Sequence, residues 1–226
     1  MTAPLLLVHG AWHGSWAWDP LLDHLDGLDV RTVDLPSSGT DPAALGDLRA
    51  DAEVVRAALA AVDGPVVVVG HSYGGVVVSE AATADTGAAH LVYLCAFQLD
   101  AGESLLAAVG GQAPPWWEVH EGHVVATSPE AVFFNGCPAD LTAAAVGRLG
   151  LQSRAAFEQP LTRAAWREVP STYVVCEADQ AIPPFAQEQM AQRAGDVVRL
   201  PDGHSPFLSS PGELARVLRD VAARAG

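Results

Sequence analysis

The stretch Val66-Val67-Val68-Val69-Gly70-His71-Ser72-Tyr73-Gly74-Gly75-Val76-Val77-Val78 decides how this chain is read. It opens as a continuous apolar run of β-branched residues, the pattern of a strand buried on both faces. It then passes through Gly70-His71-Ser72-Tyr73-Gly74 into a helical run, Tyr73–Ala84. A G-x-S-x-G pentapeptide at a strand-to-helix junction is a strained turn that presents the serine hydroxyl above the sheet. Side chains two residues either side of Ser72 would collide in so tight a turn. That is the steric reason for Gly70 and Gly74, and Gly75 lets the helix lie close to its strand.

Working outward, short apolar runs recur at Leu5–Val8, Val30–Val33, Leu91–Leu94, Tyr173–Cys176 and Val197–Leu200, each bounded by Gly, Pro, Asp or His. Between them lie amphipathic stretches. Pro42–Val62 places Leu45, Leu48, Ala52, Val55 and Leu59 at spacings of three and four, and Pro20–Leu25 and Pro211–Ala223, with Ser210 as N-cap, are further helices. Alternating strands and helices predict an α/β fold with a mostly parallel, doubly wound sheet. The rhythm breaks between 97 and 166. That stretch carries Gly110-Gly111, Pro114-Pro115, Trp116-Trp117, a hairpin over Glu118–Val125 turning at Glu121-Gly122, and helical runs around Ala139–Leu149. Residues 1–96 and 167–226 are therefore expected to form the core. Residues 97–166 are expected to form a small inserted cap over the carboxyl edge of the sheet, where ligands bind in such folds.

Composition narrows the function. The 226 residues are half apolar and 17% charged, with enough core-forming material for one domain with an insertion. Acidic residues outnumber basic ones 27 to 12, for a net charge of −15. Such a surface repels phosphate backbones and anionic membranes, so neither nucleic acid nor a membrane is an expected partner. All the basic residues are arginine, which excludes Schiff-base chemistry and a P-loop lysine. Cys95, Cys137 and Cys176 are odd in number and widely spaced, which predicts reduced thiols in a cytoplasmic protein. The N-terminus has no basic, apolar leader pattern, and no run approaches the length of a membrane span. A small molecule is the expected partner. No cofactor or metal is expected, and a homodimer remains open.

A serine hydroxyl needs a base, and the base needs an orienting acid. In strand–turn–helix sites of this kind, the acid and then the histidine follow later strands. Asp179 follows Tyr173–Cys176, and His204 follows Val197–Leu200. Glu177 competes with Asp179 but lies nearer the strand. Asp202 competes too, but it is too close in sequence to His204 to orient the ring from beneath. Backbone N–H groups should bind the oxyanion, one from Tyr73 and one from Ala11 in the glycine-rich loop after the first strand. His9, His13 and His71 are expected to hydrogen-bond loop backbone beside the site. His120 and His123 are expected on opposite faces of the hairpin, which argues against a metal there. Trp12, Tyr73, Phe97, Trp116, Trp117 and Phe207 are expected to wall an apolar pocket.

Four stretches carry a resemblance: His9–Trp18, Val69–Gly75, Val175–Pro183 and Gly203–Ser209. On these the chain resembles the α/β-hydrolases, and within them the branch of plant methylesterases, hydroxynitrile lyases and bacterial esterases. The resemblance implies the α/β-hydrolase fold, Ser72, Asp179 and His204 as a triad, and the Ala11 and Tyr73 amides as an oxyanion hole. It also implies a small cap and hydrolysis of carboxylic esters, for which the expected aromatic pocket wall favours small-to-medium apolar or aromatic groups. The alternative is a non-hydrolytic reaction, a lyase or a specialised-metabolite cyclase, using the same residues as acid and base. The lyases of the branch carry a threonine where this chain has Gly10 and a lysine where it has Ser205. Those departures favour hydrolysis.

Overall fold

A computed structural model describes residues 2–226. The described residues form ten strands: β1 (Leu5–Val8), β2 (Val30–Val33), β3 (Ser38–Gly39), β4 (Val66–His71), β5 (Ala88–Leu94), β6 (Trp117–Val119), β7 (His123–Ala126), β8 (Leu151–Ser153), β9 (Ser171–Cys176) and β10 (Asp196–Leu200). Six of them form one sheet in the order β10-β9-β5-β4-β1-β2. Every pairing in it is parallel, from Leu5 beside Val30 to Leu200 beside Cys176. The chain winds to one side of β1 to place β2 and to the other side to place β4. The carboxyl ends of β1 and β4 therefore flank the point where winding reverses, the crevice in which such sheets bind ligands.

β1, β4 and β9 are buried along their whole length, as the apolar runs Leu5–Val8, Val66–Val69 and Tyr173–Cys176 within them require. The edge strands differ from expectation. β2 is only half-buried, and β10 is mostly exposed apart from Leu200, because each has a neighbour on one side only and its helices leave one face in water. The helix Leu48–Ala60 begins later than its apolar periodicity suggested. Asp47 stops it there by accepting from the Arg49 and Ala50 amides, two of the N–H groups that a helix start leaves unpaired. The helix Gly74–Ala81 is buried on every side, since it runs beneath the site between sheet and surface helices. Among the described residues, no helix is long and apolar enough to cross a membrane.

Between β5 and β9 the chain leaves the large sheet. It builds a smaller antiparallel one, ordered β3-β8-β7-β6, together with short helices including Leu105–Ala108 and Ala139–Val146. Its outer strand is borrowed: Ser38–Gly39, from the loop after β2, pairs with Leu151 and Gln152. The 117–126 hairpin turns at Glu121-Gly122 as expected, but one inference from it is corrected. His120 and His123 close the turn through a 2.8 Å backbone bond, and their rings stack 4.6 Å apart on the same face. Residues directly opposite in a two-residue hairpin share a face.

Candidate active site

Ser72 sits at the carboxyl end of β4 with φ +53, a left-handed conformation that a non-glycine residue adopts only when its surroundings impose it. What imposes it is close approach. A Cβ on Gly70 would lie 2.7 Å from the Gly74 carbonyl oxygen, and one on Gly74 would lie 2.6 Å from that of Val8. The turn is further tied to the neighbouring strand end, because the Ser72 amide donates to Leu94 O and Ser72 O accepts from the Phe97 amide.

Asp179 follows β9 and is 2% exposed. Its Oδ1 accepts from the Ala181 and Ile182 amides at 2.7 and 2.9 Å. Its Oδ2 accepts from Gln187 Nε2 at 2.8 Å and from His204 Nδ1 at 2.7 Å. With Nδ1 donating to a carboxylate, the His204 ring keeps its free lone pair on Nε2. Glu177 is exposed, and Asp202 accepts from the Ser209 and Ser210 hydroxyls instead, so neither competitor reaches the ring.

His204 is brought to Ser72 through the residue before the serine. His71 Nε2 donates to His204 O at 2.8 Å, and the two rings lie 4.6 Å apart. Among the hydrogen bonds of the described residues, neither the Ser72 hydroxyl nor His204 Nε2 takes part in any. The same holds for two backbone donors beside them, the Ala11 and Tyr73 amides, although both residues are buried. A serine hydroxyl, an imidazole lone pair and two unspent N–H groups thus meet at one sheet edge. That set can attack an electrophilic carbon and stabilise the oxyanion that results.

The orientation of the Ala11 amide has a visible cause. Leu35 N donates to His9 Nε2, so His9 carries its proton on Nδ1 and donates it to Gly10 O at 2.8 Å. The Gly10 carbonyl and the Ala11 N–H belong to one planar trans peptide and point opposite ways, so holding the first aims the second. His13 Nδ1 holds the Ala11 carbonyl in the same manner at 2.8 Å. Burial lowers the pKa of all three neighbouring histidines, that of His13 to about 3, so they act as neutral hydrogen-bond donors.

Ala11, Trp12, Ser72, Tyr73, Phe97, Trp116 and Trp117 all border one cavity above the serine. Leu105, Val109, Pro114, Phe133, Phe157, Ala181 and Ile182 complete it. No sequence pattern marks these, because nothing local records which apolar side chain faces inward. Phe207 does not border the cavity. The short helix Pro206–Ser209 turns it beneath the site, where its ring packs 4.9 Å from His71 and 5.0 Å from Trp18. Two further residues escaped sequence reasoning. Gln187 steadies Asp179 while accepting from the Cys176 amide. Asn135, in the segment between β5 and β9, donates to Ala178 O and lies so close to Gly203 that a Cβ there would meet its carbonyl oxygen at 2.5 Å.

His71, Cys95 and His204 have ligand atoms within 4.8 Å of one another, but they suit a metal poorly. His71 Nε2 and His204 Nδ1 are already engaged. The Cys95 thiol donates to His204 O at 3.4 Å, and burial pushes its pKa well up, away from the thiolate a metal needs. All three cysteines are free.

Residues 5–217 match the model of the alpha/beta hydrolase family. The alpha/beta hydrolase nvfD of Aspergillus novofumigatus is 32% identical over 98% of this chain and 97% of its own length. Methylesterase 10 of Arabidopsis thaliana is 26% identical over 97% of this chain and 91% of its own length. Among solved structures, a pyrethroid hydrolase from Sphingobium faniae superposes with a TM-score of 0.86 at 24% identity, covering 99% of this chain and 98% of that one.

Proposed function

The chain belongs to the alpha/beta hydrolase family, and from that premise we propose that it hydrolyses carboxylic esters through Ser72, His204 and Asp179. The observation that carries the proposal is the buried 2.7 Å bond from His204 Nδ1 to Asp179. It leaves Nε2 unspent on the side of a serine held in a left-handed turn. His204 takes the Ser72 proton as Oγ attacks the ester carbon, and the Ala11 and Tyr73 amides receive the developing oxyanion. The imidazolium, steadied by Asp179, then protonates the departing alcohol. Water activated by the same ring finally releases the acid from the acyl-enzyme.

The cavity supports apolar or aromatic substrates of modest size. Its wall is almost wholly aromatic and aliphatic, and its accessible volume is about 30 Å³. That is room for little more than a water or two, so a substrate larger than a short acyl group displaces cap side chains as it binds. Hydrolysis is favoured over lyase chemistry by the space around Gly10. A Cβ there would lie 2.8 Å from His71 Nδ1 and 2.9 Å from Ser72 Cβ, so a threonine does not fit without a shift of the loop.

The test is release of p-nitrophenolate from p-nitrophenyl acetate, together with labelling by a fluorophosphonate. Ser72→Ala is expected to abolish labelling and lower kcat by roughly 10⁴-fold or more. Wild-type protein that neither turns over the ester nor takes the label would overturn the proposal and point to a non-hydrolytic reaction on this scaffold.

A further inference from the structure

Trp12, next to Ala11, has φ +63, a left-handed conformation that an L-residue keeps only when its surroundings hold it there. Three bonds from the cap hold it there. Its amide donates to Gln152 Oε1 at 3.1 Å, its carbonyl accepts from the Gly150 amide at 2.8 Å, and its indole Nε1 donates to Val124 O at 2.8 Å. Since Ala11 O is held by His13, Gln152 fixes the other end of the Ala11–Trp12 peptide plane, and Ala11 is clamped from both sides.

Gln152 also reaches the second oxyanion donor. Its Nε2 donates to Ser37 Oγ at 2.9 Å, the Ser37 amide donates to Asp51 Oδ1 at 2.9 Å, and the Tyr73 hydroxyl donates to Asp51 Oδ2 at 2.6 Å. Ser37, Asp51, Tyr73 and Gln152 are all fully buried. In water-free surroundings such a chain fixes relative positions stringently, because breaking any one link strands a polar group. The relay starts at the residue after Ala11 and ends on the residue whose own amide is the other donor.

Taking the ester hydrolysis proposed above as its premise, we infer that Gln152, Ser37 and Asp51 are positioning residues. They set the distance between the Ala11 and Tyr73 amides, with the cap strand β8 supplying the link. The cap therefore does more than cover the cavity: one of its side chains completes the geometry that receives the oxyanion.

The experiment is a double-mutant cycle of Tyr73→Phe and Gln152→Met, read as kcat and KM on p-nitrophenyl acetate with folding checked by circular dichroism. Both substitutions keep the side chain's bulk and remove its polar end. Each is expected to lower kcat about 10-fold, a fraction of what losing an oxyanion donor outright costs, with KM within about twofold. The double variant is expected to fall no further than the worse single one, because the relay acts as a unit although residues 73 and 152 share no direct bond. Asp51→Asn, which can still accept from Ser37 and bond Tyr73, is expected to stay within about threefold of wild type. Should Gln152→Met not fold, Tyr73→Phe against Asp51→Asn makes the same decision. Unchanged kcat in the folded variants, or losses that multiply, would overturn this inference while leaving the hydrolase reading intact. A wild type without serine-dependent hydrolysis would overturn that reading and this inference with it.

Discussion

On the sheet side of the cavity, Ser72, Asp179 and His204 are held by hydrogen bonds to strand ends and loop amides. On the cap side, Trp116, Trp117, Phe133 and Phe157 are held by one another's rings. Trp12 is the hinge between the two: four aromatic centroids lie 5.5–5.9 Å from its own, and Trp117 stacks on Phe157 at 4.5 Å. The difference is one of tolerance. A hydrogen bond is directional and weakens steeply as it bends, whereas ring contacts can slide and repack at smaller cost. The strand-end side keeps its polar groups within narrow geometric limits, while the aromatic side can rearrange around them, apart from the bonds that Gln152, Gly150 and Val124 make to Trp12.

The largest test of that division is Asp179→Asn. The amide keeps the shape of the carboxylate but lets Nδ1 of His204 become the acceptor, turning the wrong nitrogen toward Ser72. Turnover is expected to fall by about 10³–10⁴-fold with the fold intact, as steady-state kinetics and a melting curve together would establish. A loss of less than tenfold would mean the stringent side is not stringent.

A second test concerns acid stability. Folded His13 titrates at about 3 against 6.5 unfolded, because burial disfavours the imidazolium. Between those values the unfolded chain binds more protons, so stability declines as pH drops below 6.5, by up to about 1.4 kcal/mol per pH unit from this residue. Urea unfolding of wild type and His13→Gln at pH 7, 6 and 5 should show the variant's dependence flatter by about that amount. Parallel curves would show that His13 is not kept neutral by the fold.

The smallest effect is expected on the forgiving side. Trp117→Ala removes an indole from the wall of a cavity with about 30 Å³ of accessible space. The kcat/KM ratio for p-nitrophenyl butanoate over acetate should rise roughly fivefold, with kcat on acetate nearly unchanged. A large fall in kcat on acetate would show that the aromatic cluster reaches into the chemistry and that the two sides of the cavity do not differ in tolerance.

How far the site could be read from the chain follows the same division. β1 and β2 have the bounds their apolar runs predicted, and β4, β5, β9 and β10 differ only in length. Ser72, Asp179 and His204 could be proposed because each lies just beyond the carboxyl end of a strand of the large sheet, where an apolar run gives way to polar residues and glycine. Missed were β3 and β8, two and three residues long, which exist only because they pair with each other and with β7. The helix Pro184–Ala191 was missed for want of amphipathic contrast, its inward residues being Gln187 and Ala191. Phe207 was assigned to the wrong wall because a sequence position near His204 does not say which way a ring points.

The sequence alone determined the parallel sheet and the turn that lifts Ser72, because both are local: strand burial is written in residue periodicity, and the elbow in glycines two places from the serine. Tertiary structure alone decided which aromatic groups line the cavity and which polar groups aim the Ala11 and Tyr73 amides. Gln152 and Trp12 lie 140 positions apart in the chain, and Tyr73 and Asp51 lie 22 apart. No local pattern records such meetings, because they depend on where the cap's strands settle over the sheet, and packing summed over the whole molecule sets that.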